Sequence, residues 1–435
     1  MNSVMRKPAT APGRAKVVVF DCWTKGTPHV VRLLDAAARH GLEVVMVHYG
    51  SWGDDIERPT EEIIDGLPVR DIRGYAGFAD VLDQERPDAV LLLSLDMLLH
   101  RAFNRHCRFR GIPTVHLYSG LWSAQAYDQL GINTPDLARY WRWQMSRATR
   151  SLRLVIPTYV AALLQTRARL GEWGAFVAEV WSRLIGSLTV EVPPDARPGS
   201  VCVFNHDDRS HAIEKFRLPP DRITVVGVPD ILKFRQLEES IGHFAGEFDG
   251  EYTDVVYIGT GIRGSRMKIA EDADYVEHLS RTARILKKAG LNLVLKLHYS
   301  RLDGVKSAAA AAGERFDLCD DEDFVARLAA SAGAIVEPSS AGLVPILMGK
   351  PIYLAQYGRL ADLPFGRLLT RYPKASPLVS LDDLAAIGGR RRTTSNQRDT
   401  IAWIQSVAGP LPAREMPDRV ARVLLAAIEE GRAAQ

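Results

Sequence analysis

At 435 residues, with 46% hydrophobic and 25% charged side chains, the chain is too long for one ordinary core and too apolar for extended disorder. Its net charge of +3 is nearly neutral for that length and carries no electrostatic footprint of a nucleic-acid partner. Cys22, Cys107, Cys202 and Cys319 are scattered without Cys-x-x-Cys or Cys/His spacing, which points to free thiols and away from a zinc site.

Residues 1–15 are basic and rich in Pro and Ala but lack an apolar segment, so they read as a disordered leader and not as a signal peptide. No apolar run reaches the roughly 18 residues that a membrane span needs, and a cytoplasmic protein is the simplest expectation. From Lys16 the pattern alternates: strand "KVVVFD", helix "TPHVVRLLDAAARHG", strand "LEVVMVHYG", a weaker helix near "GFADVLDQER", and strand "PDAVLLLSLD". Helix "HRAFNRHCRFRG" and strand "IPTVHLYSG" follow. Continuous Val/Ile/Leu strands separated by helices belong to a parallel sheet covered on both faces. The expectation is a Rossmann-like domain over 16–135.

Residues 136–195 break the alternation with Trp141, Trp143, Trp173, Trp181 and a series of arginines. They read as a helical insertion, which either packs inward or presents an amphipathic face to an anionic membrane. A second alternating series begins at "SVCVFNHDD" and runs through "RITVVGVPD", "TDVVYIGTGIRG", "LNLVLKLHYS" and "AIVEPSSAGLVPILMGKPIYLA". It predicts a second Rossmann-like domain over 196–400. The helices of 401–435 come last, and "PDRVARVLLAAIEEG" is long enough to cross back and cap the first domain.

Three strand-end segments of the second series carry the candidate chemistry. Gly259, Thr260 and Gly261 follow a strand, with Arg263 beside them, so backbone N–H groups there can meet an anion; a plain turn is the alternative. Lys296 and His298 end the next strand and suit a phosphate, or else a solvated lysine and a carbonyl-bonded histidine. Glu337, Ser339, Ser340 and Gly342 form an elbow where a helix begins, and the serines serve as N-caps, as phosphate donors or as both. In the first domain Asp21, His29 and Asp96 stand at loops after strands and are candidates for a general base, with structural roles as the alternative.

These pieces resemble the GT-B glycosyltransferases. "KLHYS" resembles the Lys-x-His-Pro element of bacterial sialyltransferases, Kdo transferases, polysialyltransferases and CDP-glycerol glycerophosphotransferases, with Tyr299 in the place of Pro. "DFVARLAASAGAIVEPSSAGLVPILMGKPIYLAQYG" resembles the strand, Ser-Ser, helix and Gly-Lys-Pro element of the same families, and "FDCWTKGTPHVVRLLDAAARHGLEVVMV" their first strand–turn–helix–strand. The resemblance implies two Rossmann-like domains facing a cleft, with the helical Trp/Arg-rich insertion between them. It implies transfer from a nucleotide-activated sugar, with a lean to a CMP-linked acidic sugar, onto a surface-glycan or glycolipid acceptor, without a metal or cofactor. His298, Ser339 and Ser340 would then meet the donor phosphate and Glu337 the nucleoside. A UDP-sugar 2-epimerase and a CDP-glycerol glycerophosphotransferase of the same fold are the alternative enzymes, and a two-lobed binding protein is the non-catalytic one.

Overall fold

The computed structural model describes residues 14–21, 23–52, 58–95, 98–118, 151–184, 197–228, 252–260, 272–357, 360, 364–387, 397–410 and 412–434. Within them two sheets form. The first contains β1 (Ala15–Asp21), β2 (Leu42–His48), β3 (Glu61–Ile64), β4 (Leu67–Asp71), β5 (Ala89–Leu92), β6 (Thr114–Leu117), β7 (Ser200–Val203) and β8 (Ile223–Val225). Its order is β3-β4-β2-β1-β5-β6-β7-β8. Every neighbouring pair is parallel except the β3–β4 hairpin, which turns through Asp65 and Gly66, both at positive φ (47° and 83°). Asp-Gly at a two-residue hairpin turn is the signal for that geometry, and the apolar alternation alone did not reveal it.

The second sheet contains β9 (Asp254–Ile258), β10 (Asn292–Lys296), β11 (Asp317–Leu318), β12 (Ser331–Val336), β13 (Ile352–Ala355) and β14 (Ala375–Leu378), all parallel. Its order is β11-β10-β9-β12-β13-β14. The inner strands are buried through their middles, as Val255, Val256 and Tyr257 of β9 illustrate at 0% exposure. That explains why they read as unbroken apolar runs.

One expected boundary is corrected. "SVCVF" and "RITVV" were assigned to the second domain, but they pair as β7 and β8 onto β6, with Val115 opposite Ser200 and Val201 opposite Ile223. The second sheet therefore starts at Asp254. A parallel strand buried on both faces has the same composition in either sheet, so the sequence cannot report which neighbour it will find. The excursion between β6 and β7 holds the helices Ile156–Gln165 and Leu170–Leu184, the described part of the expected insertion.

The chain returns to the first domain at its end, as expected. Helix Gln397–Ala408 lies against helix Leu343–Leu347 of the second domain and helix His206–Phe216 of the first. Asn205 Nδ2 donates to the Val407 carbonyl at 3.0 Å. Helix Met416–Ala434 then packs on helix Leu34–Arg39 and across β5, β6 and β7. Its ends are tied by Arg39 to Asp418 (2.8 and 3.0 Å) and by Arg432 to Asp88 (2.8 Å).

Candidate functional site

Strand order locates the site before any side chain does. In the second sheet the chain leaves β9 in one direction through β10 and β11, then reverses to build β12, β13 and β14 on the other side. Ligands of such sheets bind at the carboxyl ends of the strands flanking the reversal. Here those ends are Gly259–Thr260 after β9 and Glu337–Ser340 after β12, with Lys296–His298 at the end of the adjacent β10. The three segments singled out in the sequence thus lie on three neighbouring strands. Backbone bonds join them: Gly259 N–H donates to the Lys296 carbonyl (2.9 Å) and Glu337 N–H to that of Ile258 (3.0 Å).

Individual roles differ from expectation. Glu337 is only 1% exposed and faces protein, not solvent. Its Oε1 accepts from Tyr257 (2.8 Å) and Tyr275 (2.7 Å), and its Oε2 accepts from Thr260 N–H at 2.6 Å. Burial pushes this carboxyl above the usual range, opposed by those three bonds and by the nearby charge of Arg301. A nucleoside contact is therefore not its role; it clamps the turn after β9 to the end of β12. Gly259 and Gly342 are glycines for packing: a Cβ on Gly259 would sit 2.7 Å from Tyr275 Oη, and one on Gly342 2.7 Å from Val336 Cγ1. Lys296 pairs with Asp321 and lies 5.8 Å from the Phe324 ring centroid, so its ammonium is already engaged.

The remaining residues keep the expected position. His298 is exposed, and its carbonyl accepts from Arg301 N–H at the start of helix Tyr299–Ala311. Ser339 does not act as a side-chain cap: its Oγ is buried and has no hydrogen-bond partner. Ser340 opens a 3-10 turn, Ser340–Gly342, that runs into helix Leu343–Leu347. That run is too short for a strong dipole, so the hydroxyl of Ser339 is the more telling feature. Gly261 and Arg263 lie outside the described residues.

A layer that the sequence did not reveal surrounds Glu337. His278 Nε2 lies 3.1 Å from Tyr357 Oη and 3.3 Å from Tyr257 Oη. The fully buried Arg301 guanidinium sits 3.7 Å from the Tyr275 ring centroid and 3.6 Å from Asp272. Tyr257 reads as one more apolar strand residue and Arg301 as an ordinary helix-surface residue, so no local signal announces the cluster. Burial pushes the His278 imidazole down to about 4, with the Arg281 charge adding to the shift. The unfolded chain therefore binds a proton below about pH 6.5 that the folded chain refuses until about pH 4, and stability is lost as pH falls through that interval. His278→Gln is expected to remove about 1–3 kcal/mol of this acid sensitivity, read as a smaller drop in urea midpoint on acidification than in the wild type.

Lys350, in the Gly-Lys-Pro turn, is also structural. It is 2% exposed and donates to the carbonyls of Ala329 (2.6 Å) and Ser331 (2.8 Å), and burial pushes its ammonium down to about 8. Cys107, Cys202 and Cys319 are buried free thiols.

In the first domain Asp21 ends β1, next to the strand-order reversal between β1 and β5. Its Oδ1 lies 3.4 Å from Nε2 of His100, which is 3.3 Å from Tyr49 Oη; His100 Nδ1 is buried without a partner. His100 was not singled out in the sequence, where it is one of several basic residues in a helix, Leu98–Phe109, that looks solvated. In fact His100, Arg101, Asn104, Arg105 and His106 are all buried. Helix Ile156–Gln165 packs on this helix, His100 lies against Phe20 and Tyr49, His106 lies against Phe78, and Glu172 of the following helix accepts from Arg105 at 3.0 and 3.1 Å. His29 lies in the last turn of helix Trp23–Val31 and not at its start. Asp96 lies outside the described residues. Among the described residues no group of three or more His, Cys, Asp and Glu is arranged to hold a metal ion.

This two-domain α/β fold, with two largely parallel sheets, is similar to several solved structures. The fold is GT-B. A variant of the wall teichoic acid polymerase TagF is 11% identical, with a TM-score of 0.53 over 96% of this chain and 90% of its own. The UDP-GlcNAc 2-epimerase of Methanocaldococcus jannaschii, solved with UDP-GlcNAc and UDP, is 11% identical, with a TM-score of 0.50 over 94% of this chain and 99% of its own. MnaA of S. aureus, solved with UDP, is 12% identical, with a TM-score of 0.50 over 95% and 97%. No family model matches the chain, and no curated protein does.

Proposed function

We propose that the protein is a glycosyltransferase that binds a nucleotide-activated sugar at the β9–β12 reversal and transfers the sugar to a glycan or glycolipid hydroxyl. The observation that carries this reading is the Ser339 hydroxyl, buried and unpartnered at the strand end where this fold class takes its ligands. Leaving such a group unsatisfied costs about 1–3 kcal/mol, which a phosphate oxygen would offset. His298, exposed just past the end of β10, supplies a second donor to the leaving phosphate, whose charge must be stabilised as the sugar departs. On the other lobe Asp21, backed by His100, is the acceptor-side base. Two of the similar structures hold UDP or UDP-GlcNAc, which favours a uridine donor over the CMP-linked sugar implied by the Lys-x-His element.

The test is a melting-temperature panel of UDP, UMP, CMP and CDP on the wild type, Ser339→Ala and His298→Ala. A nucleotide at about 100 times its Kd should add about 2.7 kcal/mol to wild-type stability. Each variant should lose about tenfold in affinity, near 1.4 kcal/mol, while Ser339→Ala without nucleotide melts no lower than wild type. Absence of any nucleotide shift in the wild type would sink the donor site.

The fold shared with the epimerase of M. jannaschii supports a second reading, a sugar-nucleotide 2-epimerase. Incubation with UDP-GlcNAc and no acceptor separates the two: an epimerase yields the C2 epimer, and a transferase leaves the sugar configuration intact. Release of CMP from CDP-glycerol would indicate the glycerophosphotransferase instead.

A further inference from the structure

Seven large apolar side chains are strongly exposed among the described residues, and four of them lie on one helical hairpin: Leu164 (65%), Leu170 (90%), Val177 (63%) and Trp181 (64%). On helix Leu170–Leu184 they are joined by the exposed Gly174 and Ala178. Positions 170, 174, 177, 178 and 181 recur at helical spacing and make one continuous stripe. This is not the face that holds the helix in place. Trp173, Phe176 and Val180 pack against the first-domain core, and Glu172 turns inward to Arg105. The helix is thus apolar on two adjacent faces, one of which is used.

The surrounding charge identifies the occupant of the other. Arg167 and Arg169 are exposed just before the stripe begins at Leu170, and among the described side chains from 153 to 181 no acidic one is exposed. An apolar stripe with a tryptophan, flanked by exposed arginines, matches the interface of an anionic lipid bilayer: acyl chains take the stripe and headgroup phosphates take the guanidinium groups. No described helix is long and apolar enough to cross a membrane, so the contact is with the surface. We propose that the exposed face of Leu170–Leu184 docks the protein on an anionic membrane, with Leu170, Val177 and Trp181 in the acyl boundary and Arg167 and Arg169 on lipid phosphates. This rests on the helix surface and not on the donor-site reading.

The experiment is co-sedimentation of the full chain with phosphatidylglycerol–phosphatidylcholine vesicles and with pure phosphatidylcholine vesicles. The wild type should partition into the anionic vesicles at least about tenfold more strongly, with the excess falling as salt rises. The pair Val177→Glu/Trp181→Glu should lose about tenfold or more on anionic vesicles, and Arg167→Gln/Arg169→Gln should lose the preference for anionic lipid. Both should keep any nucleotide-induced melting shift, so failure here and failure of the donor site are read separately. Wild type that stays in solution with both vesicles overturns the proposal, as does a glutamate variant that sediments like wild type. A dimer seen by light scattering and abolished by the glutamate pair would assign the stripe to a second copy. A glutamate variant that melts far below wild type, with no vesicle binding by wild type, would show the stripe covered by the chain itself. Should the glutamate pair fail to fold, the arginine pair decides the question.

Discussion

Glu337→Ala is expected to destabilise the second domain by about 3–5 kcal/mol and to abolish nucleotide binding. The carboxylate is fully buried, and its removal strands three donors at once: the hydroxyls of Tyr257 and Tyr275 and the N–H of Thr260. It also withdraws a negative charge close to Arg301, a guanidinium with no exposure to water. Removing one member of a buried, bonded charge cluster costs far more than an exposed pair would, because the survivors cannot rehydrate. Glu337→Gln keeps the shape but presents an amide N–H₂ to donors, so it should fall between wild type and alanine. The readout is the urea midpoint, with the denaturant slope checked for constancy. Tyr257→Phe leaves the Tyr275 hydroxyl and the Thr260 N–H on the carboxylate and should cost less, about 1–2 kcal/mol. An alanine variant that loses no more than that phenylalanine variant would mean that the cluster does not hold together as drawn.

The second large effect is expected at Gly409, where the chain re-enters the first domain. Gly409 has φ +84°, and a Cβ there would fall inside contact distance of the Phe204 carbonyl oxygen and 2.7 Å from Gly227 Cα. Both obstacles are backbone, so no side chain can rotate away. Left-handed strain of about 1–2 kcal/mol then adds to an overpacking cost of about 1–3 kcal/mol, and Gly409→Ala should lose about 3 kcal/mol. Gly290 supplies the control. Its φ is +75°, but nothing lies within 4 Å of an added Cβ, so Gly290→Ala carries the strain alone. Melting temperatures of the two variants should therefore differ clearly, and equal losses would remove the close approach between Gly409 and Gly227 from the account.

These two positions show what kind of information the chain carries locally. "AIVEPSSAG" announces a strand, a polar elbow and a helix start, and the structure has β12, the elbow and a short helix there. The elbow cannot announce that Glu337 turns inward, because that depends on Tyr257, Tyr275 and Thr260, 62 to 80 residues away along the chain. Gly342 looked like a ligand-facing glycine for the same reason: its tight neighbours, Val336 and Leu369, belong to different elements. His100 was missed because a helix sequence rich in His and Arg looks solvated, whereas its ring is buried against the distant Phe20 and Tyr49.

Periodicity in the sequence by itself determined a doubly covered parallel α/β architecture, its two alternating series and the three strand-end segments that meet at the β9–β12 reversal. Burial on both faces and chain direction leave their mark on each strand separately, so they are legible one element at a time. Only the tertiary structure decided that β7 and β8 join the first sheet, that Glu337 and Lys296 are engaged by protein while Ser339 is left unpartnered, and which face of Leu170–Leu184 stays uncovered. Each of those depends on which distant element arrives as neighbour, and an apolar or charged side chain has the same local pattern whichever neighbour that is.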